Sequence, residues 1–144
     1  MFKDFVFLTK TDTTIGFISQ NEEKLTQIKQ RPPYKHYIKA ITSLKVLKSF
    51  TRVPKIHKNR IRRSKKTTFI MPNANSYRII DDKHHLLLLK RLSWTYTTSA
   101  NLSAAMYDED FAKKYSDVII TPLESKKTAS AIYKLEKNTI KRIR

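Results

Sequence analysis

Apolar residues along this chain recur with two periods, and each period predicts one kind of element. Runs rich in aromatic and β-branched residues are typical of strands. They predict strands at residues 5–9, 37–41, 67–71, 77–80, 94–98 and 118–121, and a closing hairpin at 129–135 and 139–144. Apolar residues spaced three or four apart, after a side chain that can cap a helix, predict helices. These helices begin at Asn21, at Ser43, at the pair Asp81 and Asp82, and at Asp108.

The order of these elements predicts an α/β protein with a mixed sheet. Strands and helices do not alternate regularly, as they would in a doubly wound parallel sheet. We therefore expect a twisted mixed β-sheet flanked by helices, in a single domain over residues 1–144. The polar segment 10–17 is predicted to be a turn, and the four leucines at 86–89 are predicted to lie in the core.

Positive charge is distributed unevenly along the chain. The sequence has 30 Lys and Arg against 12 Asp and Glu, which gives a formal net charge of +18. Between residues 24 and 80 there are sixteen Lys and Arg and no carboxylate. A surface built from such a segment attracts polyanions and gains free energy by counterion release. The pattern therefore favours contact with nucleic acid over a merely soluble surface.

The densest basic run covers residues 54–66. It is predicted to be a loop or a mobile flap, because many like charges repel one another when they are packed together. This run is the candidate for holding tRNA or double-stranded RNA, or for folding over a bound nucleotide, and a solvated loop is the alternative. The side chains assigned to RNA binding are Lys55, Lys58, Arg60, Arg62, Arg63, Lys65 and Lys66.

Several classes of chemistry are excluded by the composition. The chain contains no cysteine, so disulfides, thiolate catalysis and cysteine-ligated zinc are excluded. Because Gly16 is the single glycine, a P-loop or a dinucleotide-binding fingerprint is excluded too. Any phosphate must then be held by side chains, isolated backbone amides or a metal. No secretory signal or membrane span is evident, which predicts a cytoplasmic protein without membrane contact.

Three polar segments lie at the edges of predicted elements, where binding sites are usually built. They are residues 11–16, 29–32 and 98–103. Lys29 and Arg31 place two cations two residues apart, stiffened by Pro32, and such a pair suits a di- or triphosphate. Ser99 and Asn101 supply a hydroxyl and an amide for a ribose, phosphate or carboxylate. Taken alone, each pattern also fits a chance basic pair or an ordinary turn.

In their order, the three segments resemble the YrdC/TsaC family of threonylcarbamoyl-AMP synthases. The motifs are Thr-Asp-Thr-x-x-Gly from Thr11, Lys-x-Arg-Pro from Lys29 and Thr-Ser-Ala-Asn from Thr98. The segments 67–72, 77–79, 85–89 and 117–120 are similar to further parts of the family pattern. The chain resembles a shortened member, with Lys10 and Ala104 where the family usually has Pro and Gly.

The resemblance implies a single YrdC-like domain with a concave basic cavity, and synthesis of L-threonylcarbamoyladenylate from L-threonine, bicarbonate and ATP. The residues implied to bind ATP are Lys29, Arg31, Lys35, Ser99 and Asn101. Those implied to line the threonine and carbamoyl end are Thr11, Thr13, Arg78 and Thr98. Mg²⁺ would accompany ATP, no residue is assigned as a nucleophile or metal ligand, and the product would pass to a threonylcarbamoyl transferase complex acting on tRNA.

Two other functions belong to different classes. A non-catalytic RNA-binding protein on the same fold, associated with tRNA or ribosomal RNA, is the main alternative. A ribosomal-protein-like binder of unrelated fold rests on the charge alone. The first alternative is distinguished from the enzyme by whether the Lys-x-Arg and Ser-x-Asn side chains converge on one bound nucleotide. The second fails if these residues line a pocket.

Overall fold

The computed structural model describes residues 2–123 and 129–144. In this part of the chain the helices are α1 (Glu22–Lys29), α2 (Leu44–Phe50), α3 (Lys58–Arg63), α4 (Lys83–Leu92) and α5 (Glu109–Tyr115). The strands are β1 (Phe7–Lys10), β2 (Ile15–Ser19), β3 (Ile38–Ile41), β4 (Thr67–Ile70), β5 (Ser76–Ile79), β6 (Trp94–Ser99), β7 (Val118–Ile119), β8 (Ala131–Leu135) and β9 (Ile140–Arg142). None of the helices described is long and apolar enough to cross a bilayer.

The strands of the described residues form one mixed sheet, in the order β7-β1-β2-β6-β3-β5-β4-β8-β9. In the run β1, β2, β6, β3, each strand is antiparallel to the next. Parallel pairs join β7 to β1, β3 to β5, and β4 to β8. The hairpins β4–β5 and β8–β9 are antiparallel, and the second is the closing hairpin that the sequence predicts. The predicted mixed sheet flanked by helices is therefore confirmed.

Four helices start at the side chains that the sequence indicates. Asn21, Ser43, Asp82 and Asp108 each accept a hydrogen bond from a backbone N–H in the first turn of α1, α2, α4 and α5. Such a cap satisfies a donor that the helix itself leaves unpaired, and it stabilises the helix by about 1 kcal/mol. These boundaries are local, so the sequence predicts them without knowledge of the sheet.

Both faces of the sheet are covered by helices. In β3, Ile41 packs with Leu44 and Leu47 of α2, whereas the neighbouring Ala40 packs with Leu89 of α4. Because successive side chains of a strand point to opposite faces, α2 and α4 lie on opposite sides of the sheet. A further cluster joins β1 and β2 to α1 and α5.

Two expectations about the elements are wrong. Only residues 11–14 of the turn predicted at 10–17 lie outside strands, because Lys10 ends β1 and Ile15 begins β2, which pairs with β1 and β6. Gly16 fits there because a Cβ would lie 2.8 Å from the backbone oxygen of Thr98. The leucines at 86–89 are not all core, since Leu89 is buried and Leu87 is 69% exposed. A helix packed on a sheet buries only one stripe of its side chains.

The basic run 54–66 is helical, which corrects the expectation of a loop or flap. It forms a short 3-10 helix at Lys55–His57 followed by α3. Ile61 is fully buried in the same cluster as Ile41 and Leu135. The buried His57 lies with its Nε2 2.8 Å from the carbonyl oxygen of Glu136. These two inward contacts allow the cations to point into solvent, where water screens their repulsion.

Replacing Ile61 by Ala is expected to lower the free energy of unfolding by about 2–4 kcal/mol, because a buried side chain is lost and a cavity remains. The same substitution at Ile56, which is 58% exposed in the same run, is expected to change it by less than about 0.5 kcal/mol. Urea unfolding measures both variants. Equally small effects would contradict a packed helix and favour the loop.

Candidate functional site

A cavity of about 290 Å³ lies at one end of the central strands. Its walls come from the turn before β2, the end of β6, the segment between α1 and β3, β5, and the residues that flank β8 and β9. Arg31, Arg78 and Arg144 contribute three guanidinium groups, and no Asp or Glu is among the described residues that line it. Such a cavity favours an anionic ligand.

The turn before β2 presents a cluster of hydroxyls to the cavity. Thr11 donates a 2.7 Å hydrogen bond from Oγ1 to the carbonyl oxygen of Thr14. The same Oγ1 accepts a 3.2 Å bond from the backbone N–H of Thr13 and lies 3.3 Å from its hydroxyl. These bonds hold the turn in one shape, so its threonines line the cavity in a defined arrangement.

Arg31 is held by uncharged partners. One terminal nitrogen donates a 2.9 Å hydrogen bond to the carbonyl oxygen of His36. The guanidinium carbon lies 4.7 Å from the centre of the Tyr37 ring, as in a cation–π contact. Its Nε is buried and has no hydrogen-bond partner among the described residues. Since neither contact neutralises it, the charge of Arg31 remains available to a ligand.

Arg78 reaches the cavity from β5 and is buried, with its side chain 5% exposed. Its terminal nitrogen forms an ion pair with Asp12 Oδ1 at 3.1 Å. Burial lowers the pKa of Arg78, the Asp12 carboxylate opposes this, and the nearby Arg144 adds to it. Burial also raises the pKa of Asp12, against the attraction of Arg78. Arginine nevertheless keeps its proton in proteins, so a buried positive charge lies at the cavity wall.

Arg144, which follows β9, lines the cavity together with Ser130, which precedes β8. Its Nε donates a 3.0 Å hydrogen bond to the carbonyl oxygen of Ser130, and its terminal nitrogen lies 3.3 Å from Ser130 Oγ. The Ser130 hydroxyl is in turn 2.9 Å from that of Thr68. The sequence predicted this region only as a hairpin. Both residues were missed because the pairing of β8 with β4, which brings them to the cavity, leaves no local signal.

Lys29 lies behind the cavity wall. It is buried, and its Nζ donates hydrogen bonds to the carbonyl oxygens of Ser99 at 2.8 Å and of Asn101 at 2.7 Å. Burial, with a smaller effect of Arg31, lowers the pKa of Lys29 to about 8. The Asn101 amide also bonds back to the carbonyl oxygens of Leu102 and Ala105. Lys29 therefore fixes the backbone that carries Ser99.

Six of the nine residues assigned to ATP and threonine line this one cavity: Thr11, Thr13, Arg31, Arg78, Thr98 and Ser99. Lys29 and Asn101 support the wall from behind, and Lys35 is exposed on the loop after α1. The convergence brings together segments separated by up to 88 positions, from Thr11 to Ser99. Their binding roles stay predictions.

The residues assigned to RNA form a separate surface around α3. Lys58 is half-buried, and the other six are exposed. Lys65 lies 3.8 Å from Asp81 in an ion pair on the surface. Arg60 also lines a groove of about 530 Å³ with Tyr133 and Arg142, and this groove shares no lining residue with the cavity.

His85 lies behind Asp12, and it is predicted to make stability depend on pH. The imidazole is fully buried, its Nδ1 lies 3.9 Å from Asp12 Oδ1, and burial, with the charge of Arg78, lowers the pKa of His85 to about 3. The unfolded chain binds this proton near pH 6.5, so stability is complete above that pH and is lost as the pH falls towards 3.

Replacing His85 by Leu removes this proton uptake. Between pH 7 and pH 5 the free energy of unfolding of the unmodified protein is expected to fall by about 2 kcal/mol more than that of His85→Leu. Urea unfolding at several pH values measures the difference. Parallel profiles for the two proteins would contradict a neutral, buried His85.

Known proteins similar to this chain were found both by sequence and by structure. No model of a protein family matches it. The chain is 30% identical over 149 residues to the uncharacterized protein MG259 homolog of Mycoplasma pneumoniae, covering 97% of this chain and 32% of that protein. It thus spans about a third of the length of this relative.

Two solved structures have the same architecture. The structure of P. abyssi Sua5 complexed with L-threonine aligns with a TM-score of 0.83 and 16% identity, over 97% of this chain and 50% of that one. The structure of E. coli YciO aligns with a TM-score of 0.78 and 18% identity, over 97% and 82%. At these identities the likeness concerns the fold alone. The protein therefore has the YrdC-like fold that its sequence motifs predict.

Proposed function

We propose that the protein is an L-threonylcarbamoyladenylate synthase, which makes threonylcarbamoyl-AMP from L-threonine, bicarbonate and ATP for the modification of tRNA. The observation that carries the proposal is the convergence of the Thr11–Thr14 turn, the end of β6, Arg31 and Arg78 on one cavity. The fold supports it as well, since Sua5 shares this fold and was solved in complex with L-threonine.

The threonine and carbamoyl end of the cavity is assigned to the hydroxyls of Thr11, Thr13 and Thr98 and to Arg78. Hydroxyls donate and accept hydrogen bonds, so they suit the amine and hydroxyl of a small amino acid. A guanidinium suits its carboxylate, or bicarbonate, because it can donate two parallel hydrogen bonds. Since Arg78 is buried, little water competes with the anion for this charge.

The triphosphate end is assigned to Arg31, Arg144 and Ser99, and the exposed Lys35 on the loop after α1 is assigned to the same ligand. The chain has a single glycine, so side chains must do what a glycine-rich loop does in other nucleotide-binding proteins. Lys29 and Asn101 contribute by holding the Ser99 segment in place. Cations that several elements supply can contact different oxygens of a flexible triphosphate, which a single cation cannot do.

Mg²⁺ would enter the site with ATP. This ion prefers six oxygen ligands, keeps several waters, and is usually bound through phosphates and one or two carboxylates. Asp12 is already paired with Arg78, and the described residues contain no group of three or more His, Asp or Glu that could hold a metal. The residues of the site therefore fit a Mg²⁺ ion that is bound by phosphate oxygens and water. Such an ion would neutralise a further part of the negative charge of the phosphates.

The chemistry requires no protein nucleophile. The threonine amine attacks the carbon of bicarbonate, water is lost, and a carbamate forms. A carbamate oxygen then attacks the α-phosphorus, the bond to the bridging oxygen breaks, and pyrophosphate leaves with the electron pair. Arg31 and Arg144 would stabilise the negative charge that builds up on the leaving pyrophosphate, while the cavity holds the reactants in line. The mixed anhydride would then pass to a threonylcarbamoyl transferase complex.

Purified protein is expected to release pyrophosphate from ATP only when both threonine and bicarbonate are present. Replacing Arg31 by Ala is expected to lower kcat/KM by about 100-fold or more, because it removes a positive charge that stabilises the leaving pyrophosphate. A coupled pyrophosphate assay measures both effects. Lys45→Ala on the exposed surface of α2 is the matched control. Turnover without threonine, or equal activity of the two variants, would contradict the proposal.

Binding of RNA without catalysis is the second candidate function. It is favoured by the basic surface around α3, and by the adjoining groove that combines Arg60 and Arg142 with the ring of Tyr133. The guanidinium of Arg142 lies 5.7 Å from that ring. Cations beside an accessible aromatic ring suit a phosphate backbone with a stacked base.

If this surface binds RNA, the double substitution Arg62→Ala and Arg63→Ala is expected to weaken binding of tRNA and double-stranded RNA about tenfold. It should also reduce the slope of log affinity against log salt by about 2, one for each lost phosphate contact. Fluorescence anisotropy at several salt concentrations measures both. Lys113→Ala with Lys114→Ala on α5 removes the same charge elsewhere. Equal losses in the two double variants would indicate attraction by net charge only.

A further inference from the structure

A buried acid next to the cavity has no role in the proposed chemistry. Asp12 lies in the middle of the Thr-Asp-Thr segment, between two threonines that line the cavity, and its side chain is 7% exposed. It does not line the cavity itself. Its Oδ1 is 3.1 Å from the terminal nitrogen of Arg78, which does.

We propose that Asp12 is a positioning residue, which holds the Arg78 guanidinium against the cavity wall so that its other N–H groups face the carboxylate of an amino acid or its carbamate. The proposal rests on the proposed function for the identity of that ligand. The Nε of Arg78 is buried and has no hydrogen-bond partner among the described residues. Asp12 contacts one terminal nitrogen of the guanidinium, while the Arg78 side chain also lines the cavity.

Two opposite effects of Asp12 on an anion in the cavity have to be weighed. Its negative charge reduces the attraction of Arg78 for the anion. Its contact with Arg78 keeps a long, rotatable side chain in one orientation, which spares the ligand the cost of ordering it. If charge dominated, removing the carboxylate would tighten binding. If orientation dominates, as we propose, removing it weakens binding.

The surroundings of the pair favour orientation. The Asp12 backbone belongs to the turn that Thr11 and Thr14 hold together, so the carboxylate has a fixed origin. Arg78 extends from a β5 position that pairs with Ala40 of β3, in the interior of the sheet.

Other groups act on Asp12 from further elements: His85 3.9 Å away on α4, Asp82 at the cap of that helix, and Lys66 before β4.

The test compares the unmodified chain with Asp12→Asn, Arg78→Met and the double variant. Binding of L-threonine is measured by calorimetry after thermal unfolding has shown that each protein is folded. Asp12→Asn is expected to raise the Kd at least about tenfold, which corresponds to one hydrogen bond to a charged group. In the Arg78→Met background the same change is expected to have no effect, because its target is gone. Unchanged or tighter binding by Asp12→Asn, or a full effect without Arg78, would overturn the proposal.

A second variant covers the case in which Asp12→Asn does not fold. Asp12→Glu keeps the counter-charge but displaces the carboxylate by one methylene. It is expected to fold and to weaken threonine binding, whereas a purely electrostatic role predicts the affinity of the unmodified protein.

A readout without ligand separates this inference from the proposed function. The Nε–H of Arg78, assigned in ¹⁵N NMR spectra by its loss in Arg78→Met, is expected to exchange slowly with water, and rapidly once Asp12 is changed to Glu or Asn. If exchange of this N–H is slow in the unmodified chain and rapid in the Asp12 variants, while the unmodified chain does not bind threonine, the proposed function fails and the positioning role stands. Equal exchange in all Asp12 variants overturns the positioning role.

Discussion

The ion pair between Asp12 and Arg78 is the contact around which the site is organised. A guanidinium buried in a protein requires a nearby negative charge, since leaving it alone costs several kcal/mol. Arg78 lies inside the sheet on β5, and Asp12 comes from the turn between β1 and β2. In the sheet, β6 and β3 lie between these two hairpins, so the contact reaches across the central strands. A single contact thus couples the turn, the central strands and the cavity.

The remaining cations of the site are bound by groups that carry no charge. Lys29 donates to carbonyl oxygens, Arg31 to a carbonyl oxygen and the face of a ring, and Arg144 to Ser130. Such partners fix a side chain in place without cancelling its charge. The stretch from residue 24 to 80 contains no carboxylate that could cancel it. The cavity therefore retains a positive potential, which is what a triphosphate or a carboxylate requires.

A chain with one glycine has to build tight backbone turns from other residues. Gln30 ends α1 with a φ of 52°, and Ala104 has a φ of 62° in the segment that follows Ser99. Glycine adopts this left-handed conformation readily, whereas Ala104 adopts it with a Cβ. For a residue other than glycine this conformation costs about 1 kcal/mol. Hydrogen bonds from Lys29 and Asn101 support this segment and offset part of that cost.

Local interactions were predictable from the sequence, and long-range pairing was not. Helix caps such as Asn21 and Asp82 act within one turn, so neighbouring residues determined them. The motifs around Thr11 and Thr98 also indicated the fold and most of the cavity. Only the tertiary structure brought Arg144 to the cavity, placed Lys29 behind it and made the basic run helical. Each of these depends on strand register or on burial against distant residues. Such contacts join residues that are far apart in the chain, so no short stretch of sequence carries a pattern that predicts them.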